Sequence, residues 1–487
     1  MNLKVLLNGI EGLKAKGDLE FDVKGIAHDS RKVEADYMFV AIKGFETDGH
    51  NYIKQAIQNG AKVIVIEDIS KISKNDLQND ITIVIAPNTR EALARIACNY
   101  YNNPSKKFNL IGVTGTKGKT TTTFMVKKVL EANGQKVGLI GTIANYIGNK
   151  NLGESSRTTP ESLELQELFA KMVEEKVETV VMEVSSQSLK LHRVDGCDFN
   201  IGVFTNFSED HISEKEHPNM EDYFNSKLKL LNMCKKVYIN ADDFHVAKVK
   251  KLVTNCEIKT YGIDNTADLV AKDITVTNIS VDFKVKIGQR NERIKVGIPG
   301  RFSVYNSLAA LSILQNFSCD IEKLKEALLE VRVPGRSELV SNKKDLNIMI
   351  DYAHSPESLQ SILCAVKSYT RGRVISVFGC GGDRDTSKRA QMGEISGNIA
   401  DYTIITSDNP RTEKPEEIVK QIEKGTKKSK GKYEVVVDRI EAIKRAINMA
   451  NKNDIIVLAG KGHETYQEIN GEKHPFDERK IIKKIIG

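Results

Sequence analysis

The segment Val113-Thr114-Gly115-Thr116-Lys117-Gly118-Lys119-Thr120-Thr121 lies between an apolar run and an amphipathic helical pattern, a setting suited to a nucleoside triphosphate. Glycines let backbone N–H groups close around phosphate oxygens, and a helix start adds partial positive charge. Lys119 would reach the β- and γ-phosphates, and Thr120 would offer its hydroxyl to Mg²⁺. The segment departs from GxxxxGK[ST] at the first glycine, where Val113 stands. A Gly/Thr-rich turn with a helix cap is the plainer alternative; the flanking strand and helix favour the nucleotide. Magnesium needs further hard oxygen ligands. Glu183 closes the run ETVVME at 178–183, and Val184-Ser185-Ser186 follow it, so it stands at a strand end beside the phosphate loop. Thr205-Asn206-Phe207-Ser208-Glu209-Asp210-His211 follows another apolar run and gathers Asn, Asp and His at the same edge. Alone, a strand-end glutamate is more often a surface residue, and an Asx-rich turn is as often only a cap.

Such residues need a scaffold that brings strand ends together. Residues 110–113, a helix over 119–132 with Phe124, Met125, Val129 and Leu130 on one face, and 136–140 make a strand–helix–strand unit of a parallel sheet. Gly134 stands where that helix should stop. Residues 178–183 and 199–205 extend the sheet. Earlier, 37–42 and 61–67 read as strands around a helix-like 52–58, a small α/β unit. After Val333-Pro334-Gly335 come 347–351, 373–379, 402–406 and 454–460. Each runs into a polar, glycine-bearing loop at the carboxyl edge, where open parallel sheets bind ligands. These textures divide the 487 residues into 1–107, 108–334 and 335–487, in keeping with about 150 residues per domain. The expected class is α/β with parallel sheets. Two partial motifs are set aside. Asn451-Lys452-Asn453-Asp454 resembles a base-reading NKxD but precedes its strand, and Gly379-Cys380-Gly381-Gly382 could open a dinucleotide fingerprint, but Asp383-Arg384-Asp385 supplies neither its last glycine nor a helix start.

Composition narrows the partners. Lys+Arg 72 against Asp+Glu 65 leaves 72 − 65 = +7 over the whole length, too dilute a field for a nucleic-acid backbone. With 40% hydrophobic residues and 10 Pro, a mostly disordered chain is excluded. No apolar run reaches about 18 residues, and the first residues lack a signal-peptide core. A cytoplasmic location without membrane insertion is the expectation. The seven cysteines are scattered and form no CxxC pair; they read as reduced, mostly core thiols without a zinc site.

Taken together, GTKGKTT at 115–121, MEVSS at 182–186, TNFSEDH at 205–211, YNSLAA at 305–310, PGR at 334–336 and DYAHSPESL at 351–359 resemble the Mur ligase family. Its members are ATP-dependent enzymes that form the amide bonds of the peptidoglycan peptide in the cytoplasm; folylpolyglutamate synthases share the superfamily. The resemblance is greatest to the branch that adds the third residue to UDP-MurNAc-L-Ala-D-Glu. Asp29-Ser30-Arg31, FVAIKG at 39–44 and Asp48-Gly49-His50 match its uridine-nucleotide domain, and Arg157-Thr158-Thr159-Pro160 its muramoyl-peptide loop. Gly381-Gly382-Asp383-Arg384-Asp385 leading to Lys388-Arg389, Ser407-Asp408-Asn409-Pro410-Arg411 and Gly460-Lys461-Gly462-His463-Glu464 match its amino-acid site.

The resemblance implies an N-terminal UDP-binding α/β domain, a central P-loop ATPase domain and a C-terminal Rossmann-like domain. It implies ATP at Gly115, Thr116, Lys117, Gly118, Lys119, Thr120, Thr121, Asn306, Arg336 and Asp351. Mg²⁺ falls to Thr120, Glu183, His211 and Lys227, the last as a CO₂-derived carbamate, N6-carboxylysine. Sequence alone does not separate Lys227 from Lys229. Catalysis falls to Lys119, Glu183, His211 and Lys227, and the UDP-linked dipeptide to Ser30, Thr158, Thr159, Ser185 and Arg193. Arg389, Asp408, Asn409, Pro410, Arg411, Gly460 and Glu464 would bind the amino acid. The Asp-Asn-Pro-Arg form resembles versions selecting meso-diaminopimelate, since a second carboxylate wants a planar guanidinium and a lysine ammonium is repelled by one. Meso-lanthionine presents the same zwitterionic ends. The alternatives are an L-lysine-adding ligase, a folylpolyglutamate-synthase-like ligase and a non-catalytic scaffold; a monomer is expected. The chain departs from the family at Gln187, where a His is usual, and across 210–217, while Lys119, Glu183, His211 and Lys227 are all present.

Overall fold

The structure, a computed structural model, describes residues 1–45, 47–72, 80–155, 157–209, 212–213 and 216–487; His211 lies outside them. The chain forms two compact units, Met1–Asp268 with Ala309–Cys319, and Leu269–Leu308 with Asp320–Gly487.

The first unit begins with a five-stranded sheet of β1 (Lys14–Lys16), β2 (Gly25–Ala27), β3 (Tyr37–Val40), β4 (Ala61–Ile66) and β5 (Thr82–Ile85), in the order β1-β5-β4-β3-β2. Only β1 runs antiparallel to its neighbour. Alternation along β4 explains its burial on both faces. Val63 and Val65 pack with Leu3, Leu6, Leu93 and Ile96, while Ile64 and Ile66 pack with Ile53 and Ala56. The helix-like stretch at 52–58 is a helix from Ile53 to Gln58 after a 3₁₀ turn at Gly49–Tyr52.

The same unit then builds β6 (Asn109–Thr114), β7 (Val137–Ile140), β8 (Ala144–Ile147), β9 (Lys150–Glu154), β10 (Thr179–Glu183), β11 (Phe199–Phe204), β12 (Cys234–Asn240) and β13 (Glu257–Gly262), ordered β13-β12-β11-β6-β10-β7-β8-β9. From β13 to β7 the pairs are parallel; β8 and β9 form an antiparallel hairpin. β6 lies between β10 and β11, and its residues from Leu110 onward are buried, as expected of a strand covered on both faces. The helix Lys119–Ala132 buries Met125, Val126, Val129 and Leu130, at roughly 1.5–3 kcal/mol each. Phe124, expected on that face, is half-buried and meets the Tyr146 ring edge-on. The helix ends at Asn133, and Gly134 takes φ +91° as a stop glycine does.

In the second unit β14 (Leu269–Val276), β15 (Val281–Ile287) and β16 (Arg290–Val296) are consecutive antiparallel strands. The six-stranded sheet contains β17 (Glu338–Leu339), β18 (Asn347–Asp351), β19 (Val374–Phe378), β20 (Tyr402–Ile405), β21 (Lys432–Val435) and β22 (Ile455–Ala459), ordered β17-β18-β22-β19-β20-β21. It is parallel except at β17. Ile348 and Ile350 face one core and Met349 the other. A hairpin of β23 (Tyr466–Ile469) and β24 (Glu472–Pro475) follows. Asp454 of the NKxD-like run is structural, its carboxylate accepting from Arg373 Nη2 at 2.7 Å. All seven cysteines are free thiols, with Cys98, Cys197, Cys234 and Cys380 buried. Among the described residues no helix is long and apolar enough to cross a membrane.

Candidate active site

In the first unit parallel register puts Glu183 beside Val113 and Phe204 beside Thr114, so the loops after β6, β10 and β11 leave the sheet together. Gly115 has φ +139°, and an added Cβ would run into Thr205 Oγ1, so no other residue fits there. Thr205 and Asn206 clamp the loop. Thr116 N donates to Asn206 O at 2.9 Å, Lys117 N to Asn206 Oδ1 at 2.9 Å, and Thr205 Oγ1 to Lys117 O at 2.6 Å. Lys119 Nζ folds over the loop, 2.8 Å from Gly115 O and 3.1 Å from Thr116 O. Gly118 opens the following helix without a side-chain cap.

The Glu183 carboxylate is 1% exposed. Its Oε2 accepts from Thr120 Oγ1 at 2.9 Å and Thr142 Oγ1 at 3.0 Å, and its Oε1 from Thr142 N at 2.9 Å. This all-oxygen donor set beside a phosphate loop fits Mg²⁺. The network continues away from the loop. Thr142 Oγ1 lies 3.1 Å from Thr158 Oγ1, Thr159 Oγ1 donates to Glu183 O at 2.9 Å, and Ser185 N donates to Thr159 Oγ1 at 3.1 Å. Arg193 is buried, donates to Thr159 O at 3.3 Å and pairs with Glu161 at 2.9 Å; its Nε is buried without a partner. Thr120, Glu183, Thr158, Thr159, Ser185 and Arg193 are thus one connected cluster. Thr142, at its centre, was not anticipated, although Gly141-Thr142 directly after a strand was a usable signal.

Lys227 and Lys229, alike in sequence, part company. Lys227 is 1% exposed, its Nζ 2.9 Å from Gly115 O and 4.4 Å from the Tyr223 ring centroid, whereas Lys229 is exposed. Tyr223 OH in turn meets Thr116 Oγ1 at 3.2 Å. His217 is fully buried, bonded to Asp222 at 2.6 Å and Ser186 at 2.9 Å; burial lowers its pKa against the pull of Asp222. Ser30 is buried, with its hydroxyl donating to Gln55 at 2.8 Å.

In the second unit the loops after β20 and β22 are joined by a residue outside the expected set. Lys461, fully buried, donates to Asn409 Oδ1 and Glu464 Oε2, each at 2.8 Å, and lies 3.7 Å from Asp408. Asn409 Nδ2 reaches the same Glu464 oxygen at 2.9 Å. Gly460 has φ +112°, and a Cβ there would strike the Asp408 carboxylate. Pro410 is buried, and Arg411, at φ +51°, is held by Glu468 at 3.0 Å and Gly382 O at 2.8 Å. Arg389 is set deeper than expected. It is fully buried, with Nη1 and Nη2 each 2.8 Å from Glu413 and Nη2 3.1 Å from Gly381 O, so it braces the Gly381 loop. The same pairing holds the Glu413 carboxyl down to about 2.

Asn306 is buried in the helix Arg301–Leu314. Arg336 stacks 4.8 Å over the Tyr352 ring, with Nε buried and unpartnered. Asp351 Oδ2 accepts from Ser337 N at 2.7 Å, and burial raises its pKa. His463 lies 4.9 Å from the Tyr352 ring; burial, with Arg336 nearby, lowers its pKa to about 4.

Known proteins share this architecture. Residues 22–101 match the Mur ligase family catalytic domain, 113–314 the Mur ligase middle domain, and 335–462 the Mur ligase glutamate ligase domain. The chain is 49% identical, over 100% of its length and 99% of the relative's, to UDP-N-acetylmuramoyl-L-alanyl-D-glutamate–2,6-diaminopimelate ligase of Caldanaerobacter subterraneus subsp. tengcongensis. It is 46% identical, with the same coverages, to the Clostridium botulinum protein of that name. A solved structure of a ligase so named superimposes with TM-score 0.71 at 30% identity, covering 100% of this chain and 98% of the other. MurF ligase from Thermotoga maritima, solved with ADP, shares the fold at TM-score 0.62 and 20% identity, covering 91% and 94%. Matched by three family models in chain order, and at these identities to full-length relatives, the chain belongs to the Mur ligase family.

Proposed function

We propose that this chain is an ATP-dependent ligase joining meso-diaminopimelate, or a close diamino diacid such as meso-lanthionine, to the D-Glu γ-carboxylate of UDP-MurNAc-L-Ala-D-Glu. The observation that carries this reading is the Glu183 carboxylate, whose Oε2 accepts both from Thr120 of the phosphate loop and from Thr142, which in turn meets Thr158. One buried group thereby links the nucleotide end to the acceptor end. The names of the full-length relatives support the substrate assignment.

ATP phosphorylates the acceptor carboxylate to an acyl phosphate, which the incoming amine then attacks with release of phosphate. Bound Mg²⁺ supplies charge neutralisation for that transfer. Thr120 and Glu183 would hold it, with His211 and a carbamate on Lys227. Lys119 orients the transferred phosphoryl group, and Arg193, Ser185, Thr158 and Thr159 hold the acceptor carboxylate. Asn306, Arg336 and Asp351 serve the nucleotide, and Ser30 the uridine end. Arg411 and Glu464 read the distal carboxylate and ammonium of the diamino acid, positioned by Asp408, Asn409, Pro410, Gly460 and, through Gly381, by Arg389. Segments 1–107, 108–334 and 335–487 take the UDP group, ATP and amino acid respectively, and the chain acts as a cytoplasmic monomer.

The test is phosphate release from ATP with UDP-MurNAc-L-Ala-D-Glu and, in parallel, meso-diaminopimelate, meso-lanthionine, L-lysine or no amino acid. Turnover with a diacid and little with lysine supports the reading; preference for lysine defeats the role of Arg411, and no turnover defeats the ligase. Carbon-13 bicarbonate NMR tests the carbamate, whose signal should vanish in Lys227→Arg. Light scattering tests the monomer.

A further inference from the structure

Arg439 and Glu478 form an ion pair with side chains 0% and 1% exposed. Each opens a helix, Arg439–Met449 and Glu478–Ile486. Arg439 Nε donates to Glu478 Oε1 at 2.9 Å, Nη2 to Ala459 O at 2.9 Å and Nη1 to Ser407 O at 3.3 Å. Ser407, two residues past β20, and Ala459, the last residue of β22, immediately precede Asp408 and Gly460 of the two amino-acid loops. One planar group therefore grips both loop roots. Arg479 adds a second hold further along, donating to Gly462 O at 3.1 Å while Glu338 takes its Nε at 2.8 Å. Glu478 and Arg479 lie beyond the segment matched to the family model, which ends at residue 462.

Burying two charges is expensive, and an apolar pair of equal volume would hold two helices at least as well. What the guanidinium adds is direction, with three N–H bonds fixed in one plane. The two loops it spans carry Arg411 and Glu464, so the distance between the groups reading the far end of the amino acid depends on how the roots are spaced. We propose that Arg439, held by Glu478, is a positioning residue that sets the spacing of the 408–411 and 460–464 loops and so selects the length of the accepted diamino acid. This rests on the assignment of those loops to the amino acid under the proposed function.

The experiment compares the full chain with Arg439→Lys, which keeps the charge but offers one ammonium where three edges are needed. Kinetics are measured with meso-diaminopimelate and with the diamino diacid one methylene shorter, alongside thermal melting. Displacing a reading group by about 1 Å should lower kcat/KM for diaminopimelate on the order of 100-fold. The preference over the shorter diacid should fall about tenfold, with KM for ATP changed less than about twofold. Glu478→Gln, which keeps an oxygen acceptor at the pair, should shift the preference in the same direction and serves if Arg439→Lys does not fold. Arg373→Lys is the control, because Arg373 pairs with Asp454 at the opposite ends of the strands. An unchanged preference in the folded Arg439 or Glu478 variant overturns the inference alone, as does an equal loss in Arg373→Lys. Wild-type chain inactive with diaminopimelate overturns the ligase reading and this inference with it.

Discussion

Replacing Glu183 by Gln separates the metal-binding role proposed for the carboxylate from its structural one. The side chain accepts three hydrogen bonds, from Thr120 Oγ1, Thr142 Oγ1 and Thr142 N. With the glutamine oxygen turned toward Thr142 N, its amide nitrogen faces two hydroxyls, which can rotate to accept. All three contacts survive as neutral bonds, each weaker by about 1 kcal/mol than its charge-assisted form, roughly 3 kcal/mol together. Against this, a carboxylate only 1% exposed no longer has to be buried with its charge, a relief of several kcal/mol. The terms offset to within about 2 kcal/mol, which in a chain this long moves the melting temperature only a few degrees. Catalysis has no such compensation under the proposed metal role, because the amide would bring no negative charge to Mg²⁺. Removing one preorganised electrostatic group costs on the order of 100- to 1,000-fold in kcat. Phosphate release at saturating Mg²⁺ and a melt on the same preparation give both numbers. A folded Glu183→Gln enzyme with kcat within about tenfold of wild type would refute the metal role.

Further outcomes follow from other contacts. Arg411→Ala removes a guanidinium anchored by Glu468 and Gly382; losing a charge-assisted pair worth roughly 1.5–3 kcal/mol should raise KM for diaminopimelate about 10- to 100-fold. An unchanged KM in steady-state assays would remove Arg411 from the site. His463 has a folded pKa of about 4 against the usual 6.5, so between those values the unfolded chain binds a proton that the folded chain refuses. Its contribution to stability is complete above pH ~6.5 and drains away as the pH falls toward 4, by at most roughly 3 kcal/mol. Melts from pH 7 to 4 should show a shallower acid limb in His463→Gln; an equally steep limb contradicts this. Glu413→Ala strands the fully buried Arg389 guanidinium and should cost about 3–5 kcal/mol in urea unfolding. A cost below about 1 kcal/mol would mean that Arg389 finds other compensation.

The phosphate loop was legible because its determinants are local. A buried strand, glycines and a helix stopped by Gly134 sit within one continuous stretch, and the helix bounds Lys119–Ala132 came out as read. Several strand runs were read one or two residues too long, as at 373–379 against Val374–Phe378, because a charged or glycine residue beside an apolar run does not by itself mark the last ladder bond. The pairings that finish the site are not local. Thr142 becomes a partner of Glu183 only through the β7–β10 register, and Arg389, on the helix Ser387–Ile399, finds Glu413 only when the bend before the helix Pro415–Thr426 comes against it. Lys461 lay inside a quoted motif, but nothing in its neighbours says that a lysine there is fully buried between Asn409 and Glu464. Strands β14–β16 were missed although Val281–Ile287 alternates inward and outward. Their charged outer faces hide an apolar set that becomes visible only once the three strands pair.

The clamp on the phosphate loop also constrains how the protein is made. Lys117 is bound by Asn206, 89 residues downstream, and β6 gains its flanking strands β10 and β11 only from that later sequence. At about 5–20 residues per second of synthesis, the ribosome needs roughly 4 to 18 seconds to supply it. Until residues 179–183 are made, the buried strand β6 has neither ladder partner, and until Asn206 is made the loop lacks the contacts that shape it. Nucleotide therefore cannot template the emerging N-terminal half; it can only select the finished sheet. Ribosome-bound chains stalled before Thr205 should fail to retain an ATP analogue that chains released at full length retain.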